Sequence, residues 1–167
     1  GIAMRNFTRF PEVPDARALL DYGVWVGQLG FESLWVWDHI LLGTDPHFPI
    51  CDSLTMLTAV AARTTKIKLG TGILVLPMRR DIVAVAKQIA TLDHFSGGRL
   101  EIGVGIGAYR EEFDAVQPDS PLQRGDIVTE GVQAMKKPFT ERVASFEGSF
   151  YHHRDVELLP NPKQPTI

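Results

Sequence analysis

The sequence predicts an α/β fold in which helices cover a parallel sheet. Three observations carry this. Apolar, strand-like runs alternate with helix-patterned segments about four times along the chain. The connections are short enough for βαβ units. The strand runs are continuously apolar instead of alternating, the pattern of parallel strands covered on both faces.

Each element follows from its residues. "GIAMRNF" is short and partly apolar and reads as a first strand. In "PEVPDARALLDYGVWVGQLG", Pro14 and Asp15 suit a helix start. Ala18, Leu19, Tyr22, Val26 and Leu29 recur at helical spacing, and Gly30 suits the end. "FESLWVWDHI" is the second strand, and "LLGTDPHFPI" is turn-rich loop. "CDSLTMLTAVAARTT" is a helix that starts near Asp52 or Ser53. "KIKLGTGILVLP" is the third strand, and "RDIVAVAKQIATLDHFSGG" is a helix closed by Gly97 and Gly98. "RLEIGVGIG" is the fourth strand. A loop with Pro118 and Pro121 leads into the helix "RGDIVTEGVQAMKK", which Pro138 is expected to stop. "ASFEGSFYHHRDVEL" alternates around Gly148 and reads as a hairpin, and "LPNPKQPTI" is an extended, Pro-rich end.

Composition narrows the function classes. The chain has 167 residues, a net charge of −3 and 44% hydrophobic residues, which suits one ordinary globular core. The mild acidity argues against nucleic acid or an anionic membrane surface as partner, since either calls for a basic field. Cys51 is the single cysteine, so neither an intrachain disulfide nor a cysteine-built zinc site is expected, and a reducing, cytoplasmic setting is. No apolar run reaches the ~18 residues of a membrane span, and no signal peptide is visible.

The strand ends hold the candidate chemistry. In parallel α/β folds, ligands bind at the carboxyl ends of the strands. Asp38 and His39 close the second strand there, although an acid beside an imidazole also suits a surface loop or a cap. The third strand carries internal glycines in "GTGILVLP", a sign of a bulge or a close backbone approach. The fourth ends in "GVGIGAYREE", where Gly103, Gly105 and Gly107 either open room for a flat ligand or serve tight packing. The run lacks the spacing of a dinucleotide fingerprint. His94, near a helix end, suits the helix dipole. His152 and His153 are adjacent on the hairpin, so they point to opposite faces and do not chelate one metal together.

The blocks "LGFESLWVWDHI", "IKLGTGILVLPMRR", "AKQIATLDHFSGGRLEIGVGIGAYREEF" and "ASFEGSFYHHRDVELLPNPKQP" resemble successive segments of the bacterial luciferase-like family. Its members are flavin- or deazaflavin-dependent oxidoreductases on a (β/α)8 barrel. The phrasing "GTGILVLP" with "LDHFSGGR" is nearest the deazaflavin branch. The resemblance therefore implies coenzyme F420 as cofactor, FMN as the alternative, and a small organic molecule as substrate. It implies that His39 is the general base or substrate-orienting group, which suits an imidazole's unperturbed pKa of ~6.5. Asp38 would hydrogen-bond the cofactor. Gly72 and Ile73 match the family's strand-three bulge, often a non-prolyl cis peptide behind the ring. Ile106, Gly107 and Ala108 match the loop beside the ring. Some relatives carry a polar group in that loop, but Ile106 and Ala108 are apolar. That counts against sugar-phosphate oxidation and leaves His39 as the well-placed proton-transfer group.

A full barrel of this type takes ~250 residues. The expectation is therefore a single truncated domain over 1–167. Residues 1–117 would hold the first four strands and their helices, and 118–167 a helix, the hairpin and the end leading to a missing fifth strand. An inner face that includes Leu34, Val36, Ile73, Leu74, Val104 and Ile106 would be left open, with two bare edges. Tight self-association, as a homodimer, and poor flavin binding by this half alone are expected. Two other readings stand beside the oxidoreductase: a non-catalytic half-barrel assembly, and a metal-dependent hydrolase barrel built on Asp38, His39 and His94.

Overall fold

The computed structural model describes residues 1–118 and 123–166; Pro121, assigned above to a loop, and Ile167, in the Pro-rich end, lie outside them. The elements run β1 (Ile2–Met4), α1 (Ala16–Gln28), β2 (Ser33–Val36), α2 (Ser53–Arg63), β3 (Lys68–Val75), a 3-10 turn at Leu76–Met78, α3 (Ile82–Ser96), β4 (Leu100–Gly105), α4 (Arg110–Val116), α5 (Arg124–Thr140), β5 (Ala144–Glu147) and β6 (His152–Val156). Strands β1 to β4 form one sheet in that order, every pair parallel. The β5–β6 pair is a separate antiparallel hairpin.

Local chemistry sets the helix ends. Asp15, Asp52 and Asp81 each cap a helix by accepting backbone N–H groups, at 2.9 Å from Arg17, Thr55 and Ala84 respectively. Gly97 ends α3 with φ 74°, a left-handed turn that a side chain disfavours.

The sheet buries one face. Leu34 pairs with Leu69 and Leu69 with Leu100, and this row is buried against the helices. Leu57 and Val60 of α2 and Ile89 of α3 meet it in the same core. Each such side chain stabilises the fold by about 1.5–3 kcal/mol. The next row, Ala3, Trp35, Gly70 and Glu101, alternates to the opposite, open face. The Trp35 ring lies over Gly70, so closely that a Cβ there would sit 2.4 Å from Trp35 Cε3. This corrects the expected inner face. Leu34, Val36 and Leu74 are fully buried in the helix-side core. Of the six residues expected inside, Ile73 and Ile106 are the two that stand exposed.

Two further expectations change. The stretch after Gly107 is not all loop, because α4 forms over Arg110–Val116 and turns Glu112 and Phe113 inward. Nor does Pro138 stop α5, which runs on to Thr140. A proline inside a helix leaves the carbonyl four residues back without its donor. That carbonyl belongs to Ala134, and it lies 3.1 Å from His153 Nε2 of β6, which supplies the missing N–H. His152, on the other face, is exposed, as adjacent strand positions require.

Carboxylates pin the remaining loops. Glu130 of α5 accepts the backbone N–H groups of Ser149, Phe150 and Tyr151 and so holds the hairpin turn. Buried Asp93 of α3 accepts those of Lys163 and Gln164 and holds the Pro-rich end. His94 keeps its place near the end of α3, with Nε2 at 2.7 Å from the Asn161 carbonyl. Among the described residues, no helix is long and apolar enough to cross a membrane.

Candidate functional site

The carboxyl ends of β1, β2 and β3 are locked together by side chains. Asn6, fully buried just past β1, donates from Nδ2 to the carbonyls of Trp37 at 2.9 Å and Cys51 at 2.8 Å. Its Oδ1 accepts the Trp37 N–H at 3.2 Å. One amide thereby fixes the end of β2 against the start of α2. Asp38 is 4% exposed. Its Oδ1 accepts from Ser53 Oγ at 2.6 Å and from Arg79 Nη2 at 2.7 Å, and its Oδ2 accepts the Val75 N–H at 2.9 Å. This carboxylate, expected to hydrogen-bond a cofactor, instead has three protein donors. Arg79 also approaches Asp52 at 3.5 Å. Burial pushes the Asp52 carboxyl up. The bonds from Thr55 and the charge of Arg79 outweigh this and hold it below the ordinary range. Cys51 beside it is pushed up by burial and by Asp52, so it stays a thiol and not a nucleophile.

His39 follows Asp38 but faces another way. Its Nδ1 lies 2.9 Å from Oε2 of Glu112, which is 2% exposed. The other Glu112 oxygen accepts the N–H groups of Ile40 at 2.7 Å and Leu41 at 3.0 Å. Burial raises the Glu112 carboxyl, but these three bonds lower it further, so it is held below its ordinary value and ionised near neutral pH. An ionised carboxylate offers acceptors only, so the hydrogen of a neutral His39 ring sits on Nδ1. Nε2, across the ring, then carries the lone pair, and it has no protein partner among the described residues. The Tyr109 ring packs 5.5 Å from the imidazole, tilted by 43°.

Glycines shape the floor beside this imidazole. The pairing of β3 with β4 shifts register between Thr71 and Leu74, and the Gly72–Ile73 peptide is cis. The departure from regular strand geometry expected there is present. A Cβ on Gly103 would meet the Thr71 carbonyl oxygen at 2.5 Å, and one on Gly105 would meet Ile73 Cδ1 at 2.2 Å. At Gly107 the φ of 76° joins a Cβ position 2.8 Å from Val75 Cγ1. Glycine is what lets the two strands close on each other here. The result is a cleft of about 430 Å3, lined by Trp37, Asp38, His39, Gly72, Ile73, Val75 and residues 105–108. That volume lies within the usual range of small-molecule sites.

All seven residues singled out from the sequence, Asp38, His39, Gly72, Ile73, Ile106, Gly107 and Ala108, therefore meet in one cleft. His94 does not join them; its ring is bonded to the Asn161 carbonyl at the far end of α3. Among the described residues, no three His, Cys, Asp or Glu side chains converge as a metal centre. Asn6, Arg79, Glu112 and Tyr109 also belong to this site, although the sequence does not single them out. Two adjacent acids just before Phe113 were the available sign of a helix first turn at Glu112. The partners of Asn6 and Arg79 left no local sign. A flat, ring-bearing cofactor suits this cleft, which is lined by Gly72, Gly105 and Gly107 and by the apolar side chains of Trp37, Ile73 and Ile106.

The fold has known relatives. The profile of the luciferase-like monooxygenase family matches residues 4–167. The F420-dependent glucose-6-phosphate dehydrogenase of Kineococcus radiotolerans is 31% identical over 151 residues, which are 89% of this chain and 44% of that protein. An uncharacterized protein of Mycobacterium tuberculosis is 35% identical over 127 residues, 75% of this chain and 44% of its own. Among solved structures, monooxygenase RslO1 from Streptomyces bottropensis superimposes with a TM-score of 0.79 at 29% identity, over 99% of this chain and 50% of that one. An F420-dependent secondary alcohol dehydrogenase, solved with an F420–acetone adduct, gives a TM-score of 0.84 at 23% identity, over 99% and 49%. At that identity the likeness is one of fold. The chain spans about half the length of the relatives it matches, and its four parallel βα units correspond to half of their barrel.

Proposed function

Because the chain belongs to the luciferase-like monooxygenase family, we propose that its cleft is the ring-binding end of a flavin- or deazaflavin-dependent oxidoreductase acting on a small organic substrate. Coenzyme F420 is the favoured cofactor and FMN the alternative. The observation that carries the reading is the position of His39. Its Nε2 is unpartnered among the described residues, beside a glycine-floored cleft that fits a flat ring.

In this reading Gly72, Ile73, Gly105 and the 106–108 loop hold the ring, with Ile73 as the apolar surface beneath it. Asp38 acts from below by fixing the Val75 backbone and the β2 end, not by touching the ring. A bound deazaflavin would supply a ring carbon that accepts or returns hydride; FMN could also activate oxygen. His39 Nε2 takes the proton of a substrate hydroxyl, or returns it to a carbonyl oxygen. Trp37, Ile106 and Tyr109, all substantially exposed, give the substrate side an uncharged, apolar character. Their character favours neutral organic substrates over sugar phosphates.

The reading extends to assembly and setting. The chain is taken as one domain of a barrel, with the open face of β1–β4 covered by self-association, a two-fold dimer being the simplest closed form. A cytoplasmic setting fits a single protonated cysteine. The test of function is turnover of F420 or FMN with a panel of small alcohols and ketones, followed by ring absorbance. In the context of a whole barrel, His39→Ala is expected to lower turnover by about 10²–10⁴-fold. Unchanged turnover would remove His39 from the chemistry.

A further inference from the structure

We infer that Glu112 is the positioning residue of this site: it fixes which nitrogen of His39 carries the proton, and so presents the Nε2 lone pair to the cleft. The inference rests on the proposed role of His39 but concerns a residue on a different element, 73 positions away.

Three features of Glu112 point the same way. It is buried, so its carboxylate is not exchanging partners with water. Its two oxygens are divided, Oε2 on His39 Nδ1 and Oε1 on the Ile40 and Leu41 N–H groups. One side chain therefore sets both the backbone turn after His39 and the rotation of its ring. Finally, a competing arrangement is missing around the imidazole among the described residues. Asp38, the other nearby acid, is turned toward Ser53, Arg79 and the Val75 N–H. Tyr109 packs beside the ring at a tilt of 43°, with no hydrogen bond to it among the described residues. Glu112 is thus the anion that orders His39, and the ring nitrogen it leaves free is the one able to take a proton.

The division of labour gives a specific outcome for Glu112→Gln. Glutamine keeps the shape but has one acceptor oxygen. If that oxygen stays on the two backbone N–H groups, the amide NH2 faces His39 Nδ1 and donates to it. The ring must then move its hydrogen to Nε2, which removes the lone pair from the cleft. The experiment is 15N-labelled histidine NMR of the full chain, with His39→Gln assigning the signal. The neutral wild-type ring is expected to carry its hydrogen on Nδ1, and the Glu112→Gln ring on Nε2. Turnover of Glu112→Gln is expected to fall by about 10²–10⁴-fold, as for loss of a general base. As a second variant, Glu112→Ala is expected to speed hydrogen exchange at the Ile40 and Leu41 amides. A wild-type ring protonated on Nε2, or a glutamine variant that keeps its hydrogen on Nδ1, would overturn the inference. A tautomer that switches with no change in turnover would uphold Glu112 and sink the role of His39 instead.

Discussion

The Asp38 carboxylate accepts the Val75 backbone N–H at 2.9 Å, so a side chain at the end of β2 holds the end of β3 in place. The same group pairs with Arg79 at 2.7 Å. This is a buried, hydrogen-bonded charge pair, and removing Asp38 leaves Arg79 with only its longer, 3.5 Å approach to Asp52. Asp38→Ala is expected to cost roughly 3–5 kcal/mol, read by urea unfolding. A loss below ~1 kcal/mol would mean that water reaches Arg79 freely.

Two neighbouring glycines should separate stability from binding. At Gly103 an added methyl meets backbone, the Thr71 carbonyl oxygen, which cannot move aside. Gly103→Ala is expected to cost about 1–3 kcal/mol in thermal or urea unfolding. At Gly105 the methyl meets the end of the Ile73 side chain, which can swing into the cleft. Gly105→Ala should leave stability nearly unchanged and weaken ring binding instead. Equal effects of both variants on stability would contradict this reading of the floor.

His153 and Pro138 should behave as a coupled pair. His153→Ala leaves the Ala134 carbonyl without a donor, at a cost of about 1–3 kcal/mol. Pro138→Ala restores the helical N–H to the same carbonyl. Adding Pro138→Ala to His153→Ala should therefore recover part of the loss, and a double-mutant cycle measures the coupling. Strict additivity would show that His153 acts through packing alone.

Asp52 gives the pH dependence a sign. Its carboxyl is held below the ordinary 3.8, by Thr55 and Arg79 acting against burial. A depressed acid contributes stability that is complete above its unfolded value and is lost as pH falls through its folded value. Stability should therefore decline as the solution is acidified below about pH 4. Asp52→Asn, which keeps a capping oxygen, should flatten part of that decline. An unchanged acid limb would take Asp52 out of the balance.

Much of the fold was legible because its signals are local. Asp15, Asp52 and Gly97 mark helix ends through bonds or turns within a few residues. The strand-end rule placed Asp38, His39 and the glycine segments at one cleft. Facing was harder. In continuously apolar strands such as "KLGTGILV", period-two alternation is invisible, and the register shift between Thr71 and Leu74 changes the parity of everything after it. That is why Leu74 was expected inside and lies outside. The α4 helix was hidden for another reason: it has seven residues and Tyr109 supplies no capping side chain. Glu112 was hidden with it, since its value comes from three partners some seventy residues away. Pro138 misled because its rescue comes from a hairpin histidine, not from the helix.

The central claim is that the cleft beside His39 receives a flavin-type ring, and amide NMR during titration with coenzyme F420 tests it most directly. The titration is carried to millimolar cofactor. The account expects shifts confined to Trp37 through His39, Gly72, Ile73 and residues 105–108. Shifts absent from that cleft at millimolar cofactor, or centred elsewhere, such as the groove of Gly27, Arg63 and Lys66 near the opposite strand ends, would contradict it.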